Sequence, residues 1–482
     1  MEFEESLLSK ERETKKYVCT DDVLDEIGPK NAYIVFVFIA MGFTWCVAAP
    51  ISMINAFVLN SDDSHCTVNT SCVPTVSITS EFALTGDKSA LAATSMSVSM
   101  IGDIFGAFIL SSLSDRYGRK PVVCLSALSI GTFGVLSALS PNIYVFIALR
   151  FCQGAFTSGI TIVNWVLAYE SLPHAIRSYA SMLFGSMWVL GYCLTSPIAY
   201  FTHDWRTMFV VTSVPAIVVG LVYTLIIPES IHFLVSKRKE DKTRDWMEKA
   251  ERWGDRQLTI SAEQLLENMA LTHKPDNGSK TTSDNIRQIL RNRRLLTDLC
   301  VMAYLWIANS FVYGALALFS TDLAGNRYVN FALIGLAELP AYVVAPFLLD
   351  KFGRRKIVFL GHVITGCAML AAIFLSAEDV YATLALWLIA KCSVASSFTN
   401  IFVYASEVFP TTYRTLCIGL CTLIAKVVTI GTPHVGSLKA VDPRLPTIFY
   451  AFLGVTSALA TLLLPETLNK PLPTTVSDVQ EE

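Results

Sequence analysis

The chain is built of long apolar blocks joined by short polar connections. A helix needs roughly 20 apolar residues to cross the hydrocarbon core of a bilayer. Twelve blocks reach that length, at 32–59, 88–112, 121–139, 142–167, 178–202, 206–227, 295–320, 328–350, 356–376, 380–405, 413–438 and 444–464. The pattern predicts an all-α membrane protein of twelve transmembrane helices. The first block follows about 30 polar and charged residues and is too long for the apolar region of a removable signal peptide.

Composition narrows the class. Charged residues make up 16% of the 482 positions and apolar residues 53%, with a mean hydropathy of +0.49. Soluble domains carry about a quarter charged residues. A chain so poor in charge cannot cover several globular cores with polar surface, which excludes nucleic-acid binders, disordered tails and most soluble enzymes. The net charge of −3 indicates neither a strongly acidic nor a strongly basic partner.

Lys and Arg accumulate on the cytoplasmic side of membrane proteins. With the N-terminus inside, inner segments hold 29 of the 37 Lys and Arg residues and outer loops hold five. Omitting the long 228–294 loop, which follows the rule weakly, the inner side still leads 15 to 5. Both termini are therefore expected in the cytoplasm. The outer loop 60–87 carries the sequon Asn69-Thr70-Ser71, a glycosylation site on that side, together with Cys66 and Cys72. These two can pair in an oxidising compartment or remain free thiols. Within the inner loop, Asp241–Gly254 and Ser261–His273 read as short amphipathic helices. Asn285–Leu296, with Arg287, Arg291, Arg293 and Arg294, reads either as a basic helix on the anionic inner leaflet or as a solvated linker. The expected organisation is a cytoplasmic segment 1–31, a six-helix bundle 32–227, a cytoplasmic linker 228–294, a second bundle 295–464 and a cytoplasmic tail 465–482.

Three motifs recur at nearly one offset, which predicts an internal duplication. Asp115-Arg116-Tyr117-Gly118-Arg119-Lys120 returns 235 positions later as Asp350 to Lys356. Glu170, Pro173 and Arg177 return 237 positions later as Glu407, Pro410 and Arg414, and Pro228-Glu229-Ser230 as Pro465-Glu466-Thr467. All of them sit at the inner ends of predicted helices, where charge is tolerated. Acids and cations flanking a tight turn can bridge neighbouring helix ends, closing the inner side in one state and parting in another. Asp115, Arg116, Arg119, Glu170, Arg177, Asp350, Arg354, Glu407 and Arg414 are the gating candidates. The alternative is that the cations only anchor topology.

With these motifs the chain resembles the major facilitator superfamily of transporters. It resembles more closely the organic ion transporters of solute carrier family 22, through Gly325-Asn326-Arg327-Tyr328-Val329-Asn330-Phe331, Glu338-Leu339-Pro340-Ala341-Tyr342, Asp204-Trp205-Arg206 and Ser406-Glu407-Val408-Phe409-Pro410. The resemblance covers essentially the whole chain. It implies two pseudo-symmetric six-helix bundles around a central site, no cofactor and no enzymatic chemistry. Three departures stand out: Ser111 in place of the usual Gly, a short first outer loop, and Tyr313-Gly314-Ala315 where the family usually shows Tyr-Tyr-Gly.

Ionisable side chains in hydrocarbon cost several kcal/mol unless they face a cavity or a partner. Asp103, Arg150, Glu338, Lys391 and Lys426 all fall inside predicted helices. Asp103 lies 12 residues before Asp115, roughly 18 Å up the helix and near the midplane, where transporters bind their substrates. Three cations against two acids leave one positive charge for a substrate to meet. The resemblance implies that the Lys426 position carries a cation in carriers of anions or carnitine and an Asp in carriers of organic cations. The Ala341-Tyr342 pair is similar to carnitine-type members. The expectation is a plasma-membrane carrier of small organic anions or zwitterions, working by alternating access. Lys426 contacts the substrate, and Glu338, Lys391 and Asp103 tune the field or couple a sodium ion, a proton or a counter-substrate. Tyr313, Tyr342, Trp165 and Tyr192 are candidates to line the cavity. For Glu338 a structural pairing with Lys391 or Lys426 stays open, and for Arg150 packing or gating is expected. An organic-cation carrier and a non-transporting receptor or vesicle protein on the same scaffold are the rival readings.

Overall fold

The structure is a computed structural model, describing residues 19–470 apart from 60–75, 85, 178, 255–257, 273–288, 290, 377, 412 and 469. Asn69, Cys66, Cys72 and residues 285–288 and 290 of the expected basic helix at Asn285–Leu296 lie outside the described residues. A short amphipathic helix α1 (Thr20–Ile27) precedes α2 (Ala32–Met53), which runs on through Asn55–Val58. There follow α3 (Ala90–Tyr117), α4 (Arg119–Ala138), α5 (Ile143–Tyr169), α6 (Ala180–Thr202) and α7 (Trp205–Ile226). The long connection contains α8 (Glu240–Gly254) and a helix at Ala262–Thr272, close to the two amphipathic segments expected there. The second series is α9 (Arg293–Leu318), α10 (Arg327–Leu336), α11 (Leu339–Phe352), α12 (Arg354–Ile373), α13 (Val380–Val408), α14 (Arg414–Thr429) and α15 (Leu445–Thr461).

Among the described residues ten helices are long and apolar enough to cross a membrane, and α15 is a shorter apolar one. The eighth expected crossing is a broken pair, α10 and α11, with the interruption at Ala337 and Glu338. Pro340 explains the break: it has no N–H to donate to Leu336, and its ring crowds the preceding turn. A π turn at Gly159–Val163 interrupts α5, immediately after Ser158.

Helices α2 to α7 pack chiefly on one another, and α9 to α15 do the same. Within the first set α3 and α5 touch along their backbones. A Cβ on Gly106 would fall 1.7 Å from the Ala155 carbonyl oxygen, so only glycine admits this approach. The two sets meet mainly where α6 lies against α10 and α11, and where α3 lies against α14 and the 3₁₀ turn Thr432–Ala440. At the end remote from the charged motifs this junction is sealed. Tyr192 stacks on Phe331 with centroids 4.5 Å apart, and Phe57 packs on Phe331 and Tyr328. Ser196 donates to the Tyr328 carbonyl at 2.7 Å, and Thr321 to that of Ala56 at 2.9 Å.

Candidate functional site

The duplicated motifs fold into duplicated geometry. Gly118 and Gly353 end α3 and α11 with φ of +120° and +93°, a backbone that favours glycine. Each turn presents its following N–H groups to one carboxylate. Glu229 accepts from the backbone of Arg119 and Lys120 at 2.9 and 3.0 Å, and Glu466 from that of Arg354 and Arg355 at 2.9 and 3.4 Å. Arg119 pairs with Glu170 at 3.1 Å, and Ser230 donates to the same carboxylate at 2.5 Å. Arg354 pairs with Glu407 at 3.0 Å, and Thr467 donates to it at 2.6 Å. Glu229 and Glu466 thus hold the turns, a role the repeat pointed to without specifying.

These bridges lie within one helical set rather than across the junction. Asp115 adds a 3.1 Å contact to Arg119 but is largely exposed. Arg116 lies over its neighbour Tyr117, 5.4 Å from the ring centroid. Arg177 reaches the α1 residue Asp21, which also meets His232 at 3.2 Å. Its repeat partner Arg414 makes no matching bridge: its Nε and Nη2 find no hydrogen-bond partner among the described residues. The side chain of Asp350 lies outside the described set.

Two ion pairs occupy the membrane interior, in opposite environments. Lys391 and Glu338 lie 3.1 Å apart, both 0% exposed. The ammonium sits 3.3 Å from the Tyr313 ring centroid and donates to the Tyr313 carbonyl at 3.0 Å. The carboxylate accepts from the Tyr313 and Tyr342 hydroxyls at 2.9 and 3.4 Å. Glu338 also stands at the N-terminus of α11, where the helix dipole favours negative charge. Every charge is answered locally, which makes this cluster a brace between α9, α11 and α13.

Lys426 and Asp103 form the second pair, at 2.6 Å, and join α14 to α3 across the junction. Their side chains keep 29% and 23% exposure, and Ser158 donates to the second Asp103 oxygen at 2.6 Å. Asp103 opens onto a cavity of about 230 Å³ between the two helical sets, lined from one side by Asn55, Met100, Arg150, Gln153 and Thr157 and from the other by Gly314, Ala317 and Leu318. Arg150 is itself only 3% exposed. It is held by Gln153 and by Asn55 at 3.1 Å, and its guanidinium lies 5.5 Å from the Phe209 ring centroid. Packing or gating was expected of Arg150, and its place in the cavity wall goes beyond that reading. Its depth in the fourth crossing was legible; the rotation that turns it towards the junction was not.

The aromatic candidates separate. Tyr313 and Tyr342 belong to the Glu338 brace. Tyr192 is fully buried in the seal. Trp165 packs in an aromatic group with Trp45 and Phe184, at 6.3 and 5.1 Å between centroids. Trp188, which nothing in its sequence context singles out, donates from Nε1 to the Tyr313 hydroxyl at 3.1 Å and so ties α6 to α9.

Comparison with known proteins gives the family. The profile described as "Sugar (and other) transporter" matches residues 30–475. The chain is 33% identical to the organic cation transporter protein of Drosophila melanogaster, over 83% of this chain and 74% of that one. It is 31% identical to solute carrier family 22 member 15 of Xenopus tropicalis, over 84% and 75%. The partially occluded inward-open structure of the xylose transporter XylE from E. coli shares the fold, with a TM-score of 0.68 and 17% identity over 92% of this chain and all of that one. The twelve-crossing pattern, the duplicated turns and these relatives agree: the chain belongs to the sugar (and other) transporter family of the major facilitator superfamily and is a multi-pass membrane transporter of the solute carrier family 22 type, not an enzyme.

Proposed function

We propose that the protein carries small organic anions or zwitterions across the plasma membrane by alternating access, with both termini in the cytoplasm. The observation that carries this reading is the partly exposed Lys426–Asp103 pair bridging the two helical sets beside the cavity. The buried Lys391–Glu338 pair is neutral as a unit and closed by tyrosines, so it takes no part in contacting cargo. Around the cavity Asp103 offsets Lys426, and among the described residues lining it Arg150 supplies a positive charge in excess. A substrate carboxylate replaces Asp103 as the partner of Lys426 or approaches Arg150, and a substrate ammonium group replaces Lys426 at Asp103. A zwitterion satisfies both groups.

A substrate shifts a conformational equilibrium only by binding its two states differently. Exchange of the Lys426–Asp103 contact, which spans the junction, supplies such a difference. In the proposed orientation the sealed end is extracellular, and the motif turns Asp115–Arg119–Glu170 and Arg354–Glu407 stiffen the cytoplasmic ends of each set as rigid gate elements. The second reading, an organic-cation carrier, is favoured by the similarity to the Drosophila organic cation transporter. In it Asp103 alone binds cargo.

Tracer uptake into proteoliposomes distinguishes the two. Lys426→Ala is expected to lower uptake of an anion or of carnitine more than tenfold while leaving folding intact, and Lys426→Asp to convert preference towards quaternary amines. Unchanged anion or carnitine uptake in Lys426→Ala, or uptake of a quaternary amine that lacks a carboxylate by the unaltered protein, rejects the anion or zwitterion reading. Imposed sodium and proton gradients test for a coupling ion in the same vesicles.

A further inference from the structure

A second cavity lies away from the junction, at the motif end of the first helical set. It is a groove of about 940 Å³ between α8 and the ends of α2, α4 and α7. Its two walls differ in chemistry. One is apolar and continuous with the lipid-facing surface: Phe36, Leu225 and Ile226 form it, and Leu225 is 85% exposed. The other is cationic. Lys242, Lys249 and Arg252 project from a single stripe of α8, spaced seven and three residues apart, and Lys239 and Lys120 stand at its edges. Two carboxylates, Glu229 and Asp245, share the groove, and Glu229 is already occupied by the backbone of Arg119 and Lys120. Lys120, Lys242, Lys249 and Arg252 enter no ion pair among the described residues.

The groove is a firm one. The adjoining face of α8 is buried through Thr243, Trp246, Met247 and Ala250, with Trp246 reaching into the floor of the groove. Trp246 and Trp253 meet the Tyr33 ring edge-on at 5.5 and 5.7 Å, and Asn31 donates to the Ala250 carbonyl at 2.8 Å. The cations are therefore presented at fixed height above the ends of membrane-crossing helices. Lys242 and Lys249 are about 10 Å apart along the helix, enough to engage two phosphate groups of one headgroup.

We propose that this groove binds an anionic phospholipid of the adjoining leaflet, with its headgroup phosphates on Lys242, Lys249 and Arg252 and its acyl chains along Leu225 and Ile226. Charge complementarity and the continuity of the apolar wall with the lipid face both select a lipid over a soluble anion. The proposal goes beyond the transport reading and does not depend on the sign of the cargo. Only the name of the leaflet, cytoplasmic, rests on the proposed orientation.

The test is retention of defined lipids by the purified full-length protein, followed by native mass spectrometry. Dioctanoyl phosphatidylinositol 4-phosphate, dioctanoyl phosphatidylcholine and soluble inositol 1,4-bisphosphate are the probes. The phosphoinositide is expected to bind at least tenfold more tightly than either comparator. The variant Lys242→Gln/Lys249→Gln/Arg252→Gln is expected to lose roughly a hundredfold in affinity for it, since each cation near a lipid surface contributes about fivefold. Replacement of the two lysines by Arg should retain binding. Equal retention of the two lipids by the unaltered protein overturns the proposal, and that arm stands even if the triple variant does not fold. Equal binding of inositol bisphosphate, or unchanged affinity in the triple variant, overturns it as well.

Discussion

Two lysines of the same chemistry illustrate how position decides what a membrane charge does. Lys391 is sealed with Glu338, and removing it leaves a carboxylate uncompensated in a dry interior, a change that costs about 3–5 kcal/mol in buried pairs. Lys391→Met is therefore expected to lower the thermal midpoint sharply, and the double variant Lys391→Met/Glu338→Gln to recover most of it. Lys426→Ala should shift the midpoint far less, because Asp103 retains Ser158 and access to the cavity. Melting curves of the three variants and the unaltered protein check this contrast. The sequence singled out all of these charges as residues that need a partner or a cavity, and it named the pairing of Glu338 with Lys391 as one outcome. It could not rank Lys391 below Lys426 in exposure, because that depends on how α13 and α14 rotate against their neighbours. Helical spacing records which residues share a face and leaves open which neighbour that face meets.

Elements were the most legible level, and their interruptions the least. Each of the twelve expected crossings has a helical counterpart, because a run of twenty apolar residues has few other stable arrangements. The break at Ala337–Glu338 was written in Pro340, and the π turn in α5 had no sequence signal. The repeated turn gives a sharper expectation. A Cβ at Gly118 would fall 2.1 Å from Glu229 Oε2, and one at Gly353 2.7 Å from Glu466 Oε2, each with a backbone that L-residues avoid. Alanine at either position should destabilise the protein by about 1–3 kcal/mol, the larger effect falling on Gly118→Ala, as read from denaturation midpoints.

Helix α1 supplies a pH dependence. Burial works to raise the Asp21 carboxyl, but the hydrogen bond and charge of Arg177, with His232 beside it, outweigh this and hold it below its ordinary value. Burial lowers His232 below 6.5 despite the carboxylates of Asp21 and Glu170, with the Arg177 charge acting in the same direction as burial. In both groups the folded state binds fewer protons than the unfolded one, so both contributions are complete above the unfolded values and are lost as pH falls through the folded ones. Only His232 acts near neutrality. Amide hydrogen exchange over Thr20–Ile27, corrected for the intrinsic rate, should rise as pH drops below about 6.5. His232→Gln should flatten that dependence.

At the scale of the molecule, the duplication read from three motifs is a duplication of carboxylate-capped turns, and the junction between the sets is closed at the end away from them. The sequence identified the repeat because its spacing is linear. It could not show which end was shut, since that belongs to a conformational state rather than to the chain. If the sealed contact must part in each transport cycle, linking Ala56→Cys to Thr321→Cys should arrest uptake, and reductant should restore it. Continued transport by the cross-linked protein would show that the Ala56–Thr321 contact stays shut throughout.

The hydrogen bond from Trp188 to the Tyr313 hydroxyl crosses between the two sets and sits one step from Glu338. Any rocking motion that separates α6 from α9 withdraws that phenol from the indole and changes its polar surroundings. The protein thus contains an intrinsic optical probe of its own cycle: a shift in tryptophan emission on adding substrate, abolished in Trp188→Phe, would follow the turnover of unlabelled molecules in real time.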